Sequence, residues 1–301
     1  MPDCWARYLL PDGFTRVTAA VLPATVDTAR QRHRSSPLAT VALGRSMVAG
    51  ALLASTMREQ GRVNLQLVGD GPLGSVAVDA NGGGDIRASI REPVFAGELG
   101  PGRPRVSRGL GTTGLMHVLL DPLGMEYARG SSALVSGEVD EDLLAYLTQS
   151  AQVHSAVGTD VRLEGPQQQV VAAVGLLVQL IPGGTPDWVD LAAAALRDGG
   201  MTRLLGNDIT QDPDDLVMRL FPGEAIRRME MRPVRWMCTC SKERVMSAIS
   251  TLGPAEVRSM IQEQGQAEAT CDFCRSQYVV SGEELKAILA EYGSQRGGTT
   301  H

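Results

Sequence analysis

The sequence predicts an α+β protein in three parts. These are an N-terminal mixed-sheet domain with helices over 1–184, a helical linker over 185–237, and a small cysteine-bearing C-terminal domain over 238–301. Three observations carry this. Short alternating runs set off by glycine-rich turns, with helical stretches between some of them, fill the first part. Breaks at Gly199-Gly200, Asp212-Pro213 and Pro222-Gly223 cut the second into helices too short to be stable alone. In the third, four of the five cysteines stand in two tight pairs, Cys238 with Cys240 and Cys271 with Cys274.

In chain order, "RYLL" and "TRVTAAVL" read as strands on either side of a "PDG" turn, and a helix follows over 24–33. "SSPLATVALGRSMVAGALLASTMRE" is the strongest helix, with Ser36 as N-cap and Pro37 at its first position. A meander of "VNLQLV", "SVAVDA" and "DIRASI" comes next, turning at "GDGPLG" and "NGGG". These glycines lead into strands, so they are hairpin turns and not phosphate loops. "GLMHVLLD" and "ARGSSALV" resume strand character, "VDEDLLAYLTQSAQ" is an amphipathic helix, and "VGTDVRLE" and "QVVAAVGLLVQLI" close the domain as strands.

In the linker, Thr185 is placed to cap a helix that starts at Pro186. Trp188, Leu191, Ala192, Ala195 and Leu196 form its apolar stripe, and Gly199-Gly200 ends it. A second helix starts at Asp212-Pro213, with Leu216, Val217, Leu220 and Phe221 behind it. Asp212, Asp214 and Asp215 at its start favour the helix dipole, so capping and not metal binding explains them. In the tail, Ser241 caps a helix through "KERVMSAISTL", "PAEVRSMIQEQ" gives another, and "AEATCDFCRSQYVV" is a hairpin whose turn carries the second cysteine pair. "SGEELKAILAEYG" opens with a Ser281–Glu284 capping box and ends at Gly293, leaving "SQRGGTTH" frayed.

A formal charge of −6 over 301 residues gives no bulk attraction to nucleic acid or acidic membranes. The N-terminal apolar run stops at Pro11, which predicts no signal peptide, and the apolar stretch 170–181 is too short to span a bilayer. A cytoplasmic location is expected. There thiols stay reduced, so paired cysteines point to metal ligands or redox centres.

Four soft thiolates in a C-x-C and a C-x-x-C suit tetrahedral zinc. The tail has little core of its own, so metal binding would fold it. Three uses of such a site stand open. They are a purely structural zinc, a thiol oxidoreductase, and a zinc-held thiol switch that opens when oxidised. The second lacks the βαβ setting of a thioredoxin-like motif. Arg235, Lys242, Arg244 and Arg275 lie close in sequence, either to offset the thiolate charge or as ordinary surface cations.

Over nearly its whole length the chain resembles the bacterial heat-shock protein 33 family. The resemblance is carried by "CTCSKERV", "CDFCRSQYVV" and the interval between them, and further by "GEVDEDLLAYLTQSAQ", "VGLLVQLIPG" and "DDLVMRLFPGEAIR". It implies a redox-regulated holdase, zinc-bound and inactive when reduced. Cys238, Cys240, Cys271 and Cys274 would be both the zinc ligands and the redox cysteines, with oxidised pairing of Cys238 with Cys240 and Cys271 with Cys274. Residues 238–301 then form a zinc-binding redox-switch domain and 185–237 a metastable linker folded over the N-terminal sheet. Implied partners are unfolding client proteins, with a homodimer when oxidised. Two features depart from the family. Ala151 and His154 in "SAQVHS" stand where an acid and a proline are favoured, and Cys4 has no counterpart.

Little else competes. Arg103, Arg105 and Arg108 in "GPGRPRVSRGLG" make an isolated basic loop, read as solvated. His33, His117, His154 and His301 have no carboxylate or thiol at catalytic spacing, and no nucleophile–base pair is visible, so no enzyme activity is expected. The rival reading is a zinc-ribbon module that binds nucleic acid or the translation apparatus.

Overall fold

The structure, a computed structural model, describes residues 2–296 apart from 98, 101, 123–127, 208, 210 and 211. The chain divides into two compact units, 1–237 and 238–301.

The first unit begins with β1 (Cys4–Leu9), β2 (Thr15–Val21), α1 (Pro23–His33) and α2 (Pro37–Ala54). The meander follows as β3 (Arg62–Gly69), β4 (Ser75–Asn81) and β5 (Asp85–Ile90). After a one-turn α3 (Ser107–Leu110) come β6 (Gly114–Asp121), β7 (Ala128–Ala133), α4 (Val139–Gln149), β8 (Ser155–Glu164) and β9 (Gln169–Leu180). Three helices, α5 (Asp187–Leu196), α6 (Gly200–Leu205) and α7 (Pro213–Leu220), lead to β10 (Arg227–Pro233) and the short β11 (Arg235–Trp236).

Two sheets result. One has the order β10-β1-β2-β9-β8 and the other β11-β5-β4-β3-β6-β7; all pairs are antiparallel except β11 with β5. Helix α2 packs against strands of both sheets, and every residue from Leu38 to Ala54 is buried. A helix apolar on all sides belongs in a core. It is also the one helix among those described that is long and apolar enough to cross a membrane, and 94 % of that stretch is buried inside the fold. Its glycines allow close approach. A Cβ on Gly50 would lie 2.6 Å from Val78 Cγ1, and one on Gly175 of β9 would lie 2.5 Å from Val48 Cγ1. Arg45, the one charge on α2, is fully buried and donates to Glu138, Asp160 and the Pro104 carbonyl.

The five-stranded sheet is buried on both faces, which is why β9 reads as a continuous apolar run. Trp5, Ala20, Ala173 and Leu177 face the core around α2. Ala6, Tyr8, Val17, Leu176 and Val178 face a second cluster made with α5, α6 and α7. These three helices contribute Val189, Ala192, Leu196, Met201, Leu205, Leu216, Val217, Leu220 and Phe221 to it. Polar clamps add to the apolar contact. Arg162 donates to the Thr202 and Gly206 carbonyls, Arg219 to that of Leu205, and Tyr8 and Arg228 both donate to Asp214 at 2.6 Å. His154, which departs from the family pattern, places Nε2 2.8 Å from Asp190 Oδ1 on α5.

Several details differ from the sequence reading. Ser36 stands at the N-cap of α2, but its hydroxyl accepts the Phe95 N–H instead of a helix amide. Thr185 hydrogen-bonds the Asp187 carboxylate, and Pro186, not Thr185, occupies the cap position of α5. Leu191 and Ala195 are exposed, because Val189, Ala192 and Leu196 are the positions that meet the sheet. Residues 227–236, expected within a helical segment except for "VRW", are strands that pair with β1 and β5. Arg103 is not solvated: it donates to Asp140 and to the Thr159 carbonyl. Asp212 caps α7 as expected, its Oδ1 accepting the Asp214 N–H at 2.9 Å.

In the second unit, α8 (Lys242–Ile249) and α9 (Pro254–Glu263) precede the hairpin β12 (Gln266–Thr270) and β13 (Gln277–Ser281), and α10 (Gly282–Arg296) closes the unit. The Ser241 cap and the Ser281–Glu284 box both form. Helix α10 runs past Gly293 to Arg296; the remainder of the tail expected to fray, with His301, lies outside the described residues. The buried core is small: Ile249, Val257, Ala267, Val280, Leu285 and Ile288.

Candidate metal centre

The second cysteine pair is presented by the β12–β13 turn. The Cys271 N–H donates to the Ser276 carbonyl, the Arg275 N–H donates to the Cys271 carbonyl, and Arg275 takes a left-handed φ of 60°. That chain reversal places Cys271 and Cys274 on one side. Cys238 and Cys240 lie in the extended stretch just before α8, where the Ser241 cap stops extension. Arg244 of α8 donates to Thr239 Oγ1 at 2.7 Å, fixing the residue between the two thiols. All four sulfurs lie within 4.8 Å of one another. Cys238 Sγ is 3.8 Å from Cys271 Sγ, and Cys240 Sγ is 3.2 Å from Cys274 Sγ.

These distances fit a metal. Four sulfurs bound tetrahedrally at about 2.3 Å from a zinc ion stand about 3.8 Å apart. The donor set fits as well, since thiolates are what zinc selects. Cys274 is buried and the other three are half-buried, so the site is partly shielded but reachable by small molecules.

Without a metal, the thiols hold their protons unequally. Burial pushes Cys240 up to about 12, helped by hydrogen bonds with the other three thiols and opposed by Tyr278, whose OH donates to Cys240 Sγ at 3.0 Å. Burial also raises Cys271, against the N–H groups of Cys274 and Phe273. Burial acts the same way on Cys274, but Ser276 and the thiols of Cys240 and Cys271 outweigh it and bring this group down to about 6. Of these three thiols, Cys274 is the one that gives up its proton most readily.

The four cysteines that the sequence singles out are thus brought together, while Cys4 is buried apart from them in β1. Three of the four nearby cations have other partners. Arg235 pairs with Asp85 in the first unit, Lys242 with Glu284, and Arg244 with Thr239. Sequence reasoning missed Tyr278 and Ser276. Both follow the C-x-x-C motif closely, and a hydroxyl within four residues of a ligand turn was the available signal.

Comparison with known proteins gives the same picture over the whole chain. The family model described as Hsp33 protein matches residues 3–281. The 33 kDa chaperonin of Listeria monocytogenes is 37% identical over 295 residues, covering 97% of this chain and 99% of the relative. That of Desulforamulus reducens is 37% identical over 292 residues, 96% and 98%. The crystal structure of the 33 kDa chaperonin of Thermotoga maritima, a heat shock protein 33 homolog, superposes with a TM-score of 0.85 at 27% identity, covering 98% of this chain and all of that one.

The chain belongs to the Hsp33 family. As an Hsp33 protein it is a chaperone of unfolded client proteins, and not an enzyme. The mixed α+β architecture expected from the sequence is the one that the Thermotoga protein shares.

Proposed function

We propose that this Hsp33 protein is a cytoplasmic holdase switched on by oxidation. Reduced, it is inactive, with zinc held by Cys238, Cys240, Cys271 and Cys274. Oxidised, it has lost the metal, its tail is unfolded, and the metastable linker within 185–237 leaves the sheet to expose a client-binding surface during oxidative stress. The observation that carries the reading is the gathering of four sulfurs from two distant segments into one tetrahedral-sized cluster.

Bound zinc would keep all four thiols deprotonated at neutral pH and tie the 238–240 stretch to the 271–274 turn. Cysteine thiolates are the nucleophiles that two-electron oxidants attack. In each pair two thiolates give two electrons to one peroxide, which takes up two protons and leaves as two waters while one disulfide forms. Disulfide sulfurs no longer serve as a thiolate donor set, so the two segments come apart. The family resemblance supports pairing of Cys238 with Cys240 and of Cys271 with Cys274. The sulfur contacts run between the motifs, Cys238 to Cys271 and Cys240 to Cys274, so cross-pairing is the competing outcome.

Linker release follows from short helices. None of α5, α6 and α7 exceeds ten residues, below the roughly 12–15 that an isolated helix needs. Their helicity depends on the sheet they cover. Once they leave, Ala6, Tyr8, Val17, Leu176 and Val178 face solvent together with the helices' own apolar sides. A contiguous patch of this kind binds non-native chains, and it supports homodimer formation in the oxidised state.

The test is a client-aggregation assay on reduced and peroxide-treated protein, with released zinc and mapped disulfides measured in parallel. Oxidation should release one zinc per chain and start suppression of aggregation. Cys271→Ser should lose zinc sharply while Cys4→Ser keeps it. Unchanged zinc in Cys271→Ser, or equal suppression by both forms, would refute the switch. A salt-sensitive RNA complex with no effect on clients would favour the nucleic-acid module instead.

A further inference from the structure

Of the two methionines between 181 and 226, Met218 on α7 is 55 % exposed, whereas Met201 on α6 is fully buried. Met201 belongs to the apolar cluster that α5, α6 and α7 make with the five-stranded sheet. It packs closely on β8: a Cβ added to Gly158 would meet Met201 Cβ at 3.4 Å and Leu196 Cδ2 at 3.0 Å. The helix that carries it has six residues and is entered through Gly199 at a left-handed φ of 73°. A helix that short keeps its shape only on the surface it covers.

A methionine side chain is apolar until an oxidant reaches its sulfur. Peroxide then transfers one oxygen: an S–O bond forms, the O–O bond breaks, two electrons pass from sulfur to peroxide, and one water leaves. The sulfoxide is polar and needs a hydrogen-bond donor that an apolar cluster does not offer. While α6 is docked, the sulfur of Met201 is out of reach. With α6 off the sheet, it stands in solvent with the same oxidant that closed the disulfides. We propose that Met201 is a modification site of the released state: its sulfoxide, formed by peroxide only after α6 has left the sheet, blocks the return of α6 and holds the chaperone open after the cysteines are reduced.

The proposal rests on the linker reading above and adds a memory to it. Thiol reductants reopen disulfides, but a methionine sulfoxide goes back only through a methionine sulfoxide reductase. A brief oxidation is therefore reversed by thiol reduction alone, and a prolonged one is not. Burying a polar oxygen without a partner disfavours the docked state about 10- to 100-fold.

The experiment treats the full-length, zinc-loaded chain with peroxide. Peptide mass spectrometry follows each methionine, zinc release follows the switch, and hydrogen exchange over 200–205 follows docking. Met218 and Met229, 55 % and 54 % exposed, should convert from the start and so calibrate the oxidant. Met201 should lag until zinc has left and α6 has lost protection, and then convert. Met47 and Met116, fully buried around α2, should remain thioethers throughout. When reductant and zinc are restored, briefly treated protein should close. Protein carrying the Met201 sulfoxide should keep an open population about 10- to 100-fold larger, and should suppress client aggregation until the reductase is added. Met201→Leu conserves volume and should close fully after the same prolonged dose, which separates the sulfoxide from over-oxidised cysteine; Met218→Leu should not. Open α6 with Met201 unconverted, a Met201 sulfoxide that closes like the untreated chain, or equal failure of Met201→Leu to close would overturn the proposal and leave the linker reading standing. Conversion of Met47 and Met116 in step with Met201 would show global unfolding and overturn it too. Protection of α6 that survives zinc loss would overturn both.

Discussion

Phe221 ends α7 and is 1 % exposed, its ring meeting Trp188 of α5 edge to face with centroids 5.7 Å apart. Phe221→Ala takes a ring out of the apolar cluster between the three helices and the sheet, and a buried truncation of this kind costs about 3–5 kcal/mol. If α5–α7 open as a separable unit, the loss falls on their docking. At about 1.4 kcal/mol per tenfold, the population with the helices off the sheet rises by about two to three and a half decades in the reduced protein. Hydrogen exchange reads this directly: amides of α5–α7 should accelerate by that factor while those of β3 and β4 stay unchanged. Leu191→Ala is the control. Leu191 belongs to the apolar stripe drawn from sequence, yet it is 48 % exposed, so its loss should cost under about 0.5 kcal/mol and change exchange less than about threefold. If β3 accelerates together with α5–α7, the segment is not separable from the core and cannot be a linker that leaves alone. If nothing accelerates, the apolar cluster is not what holds it.

Arg45→Ala should destabilise the protein by about 3–5 kcal/mol in urea, because it takes the fully buried cation from Glu138 and Asp160 and leaves these buried carboxylates only the longer contacts to Arg105 and Arg162; a loss below about 1 kcal/mol would sink this account. Burial, reinforced by the charge of Asp3, pushes the Cys4 thiol from its ordinary 9.0 up to about 11. Between those values the unfolded chain gives up this proton and the folded one keeps it. The contribution is thus intact below pH 9 and about 2–3 kcal/mol smaller by pH 11. Cys4→Ala should flatten that part of the alkaline fall, read as urea midpoints from pH 8 to 11, and parallel curves for the two proteins would count against it. In oxidised protein, exchange protection should vanish from α5–α7 while Arg227–Pro233 keeps it; simultaneous loss would make the strand part of the released unit.

Local signals made most of the fold legible. The meander showed its alternation, α2 showed an apolar run far longer than any strand, and Asp212-Pro213 marked the start of α7 as a true cap and first turn. The cysteine cluster was legible because soft ligands in pairs have few other uses in a reducing compartment. What stayed hidden was non-local. β10 reads "RRMEMRP", with no apolar alternation, and it is a strand because β1 offers it an edge along Cys4–Leu9. α6 is six residues entered through Gly199 in the left-handed region, too short for any periodicity to register. Ser36 was a sound cap by type, but a hydroxyl serves whichever donor the fold brings, and here that is Phe95. Tyr278 alternates properly as a strand residue, and only the folded hairpin shows its OH on Cys240.

The position of β10 also limits what release can mean. The segment that would leave begins after β9, an inner strand of the five-stranded sheet, and ends at β10 on that sheet's edge. Both flanking strands are held by backbone hydrogen bonds over six or more paired positions, whereas α5, α6 and α7 are held by side chains alone apart from their own internal bonds. Side-chain docking gives way first, because a strand pulled from a sheet leaves rows of unpaired N–H and C=O groups on its neighbour. On the proposed reading the released element is therefore a loop of 181–226 tethered at both ends, and not a free tail. Its closure entropy depends only weakly on its length, so the helices remain at high local concentration above the face they uncovered. Client and helices then compete for the same apolar surface. That competition gives the switch a way back, because once the cysteines are reduced and the tail refolds, the tethered helices need only displace the client to close the site.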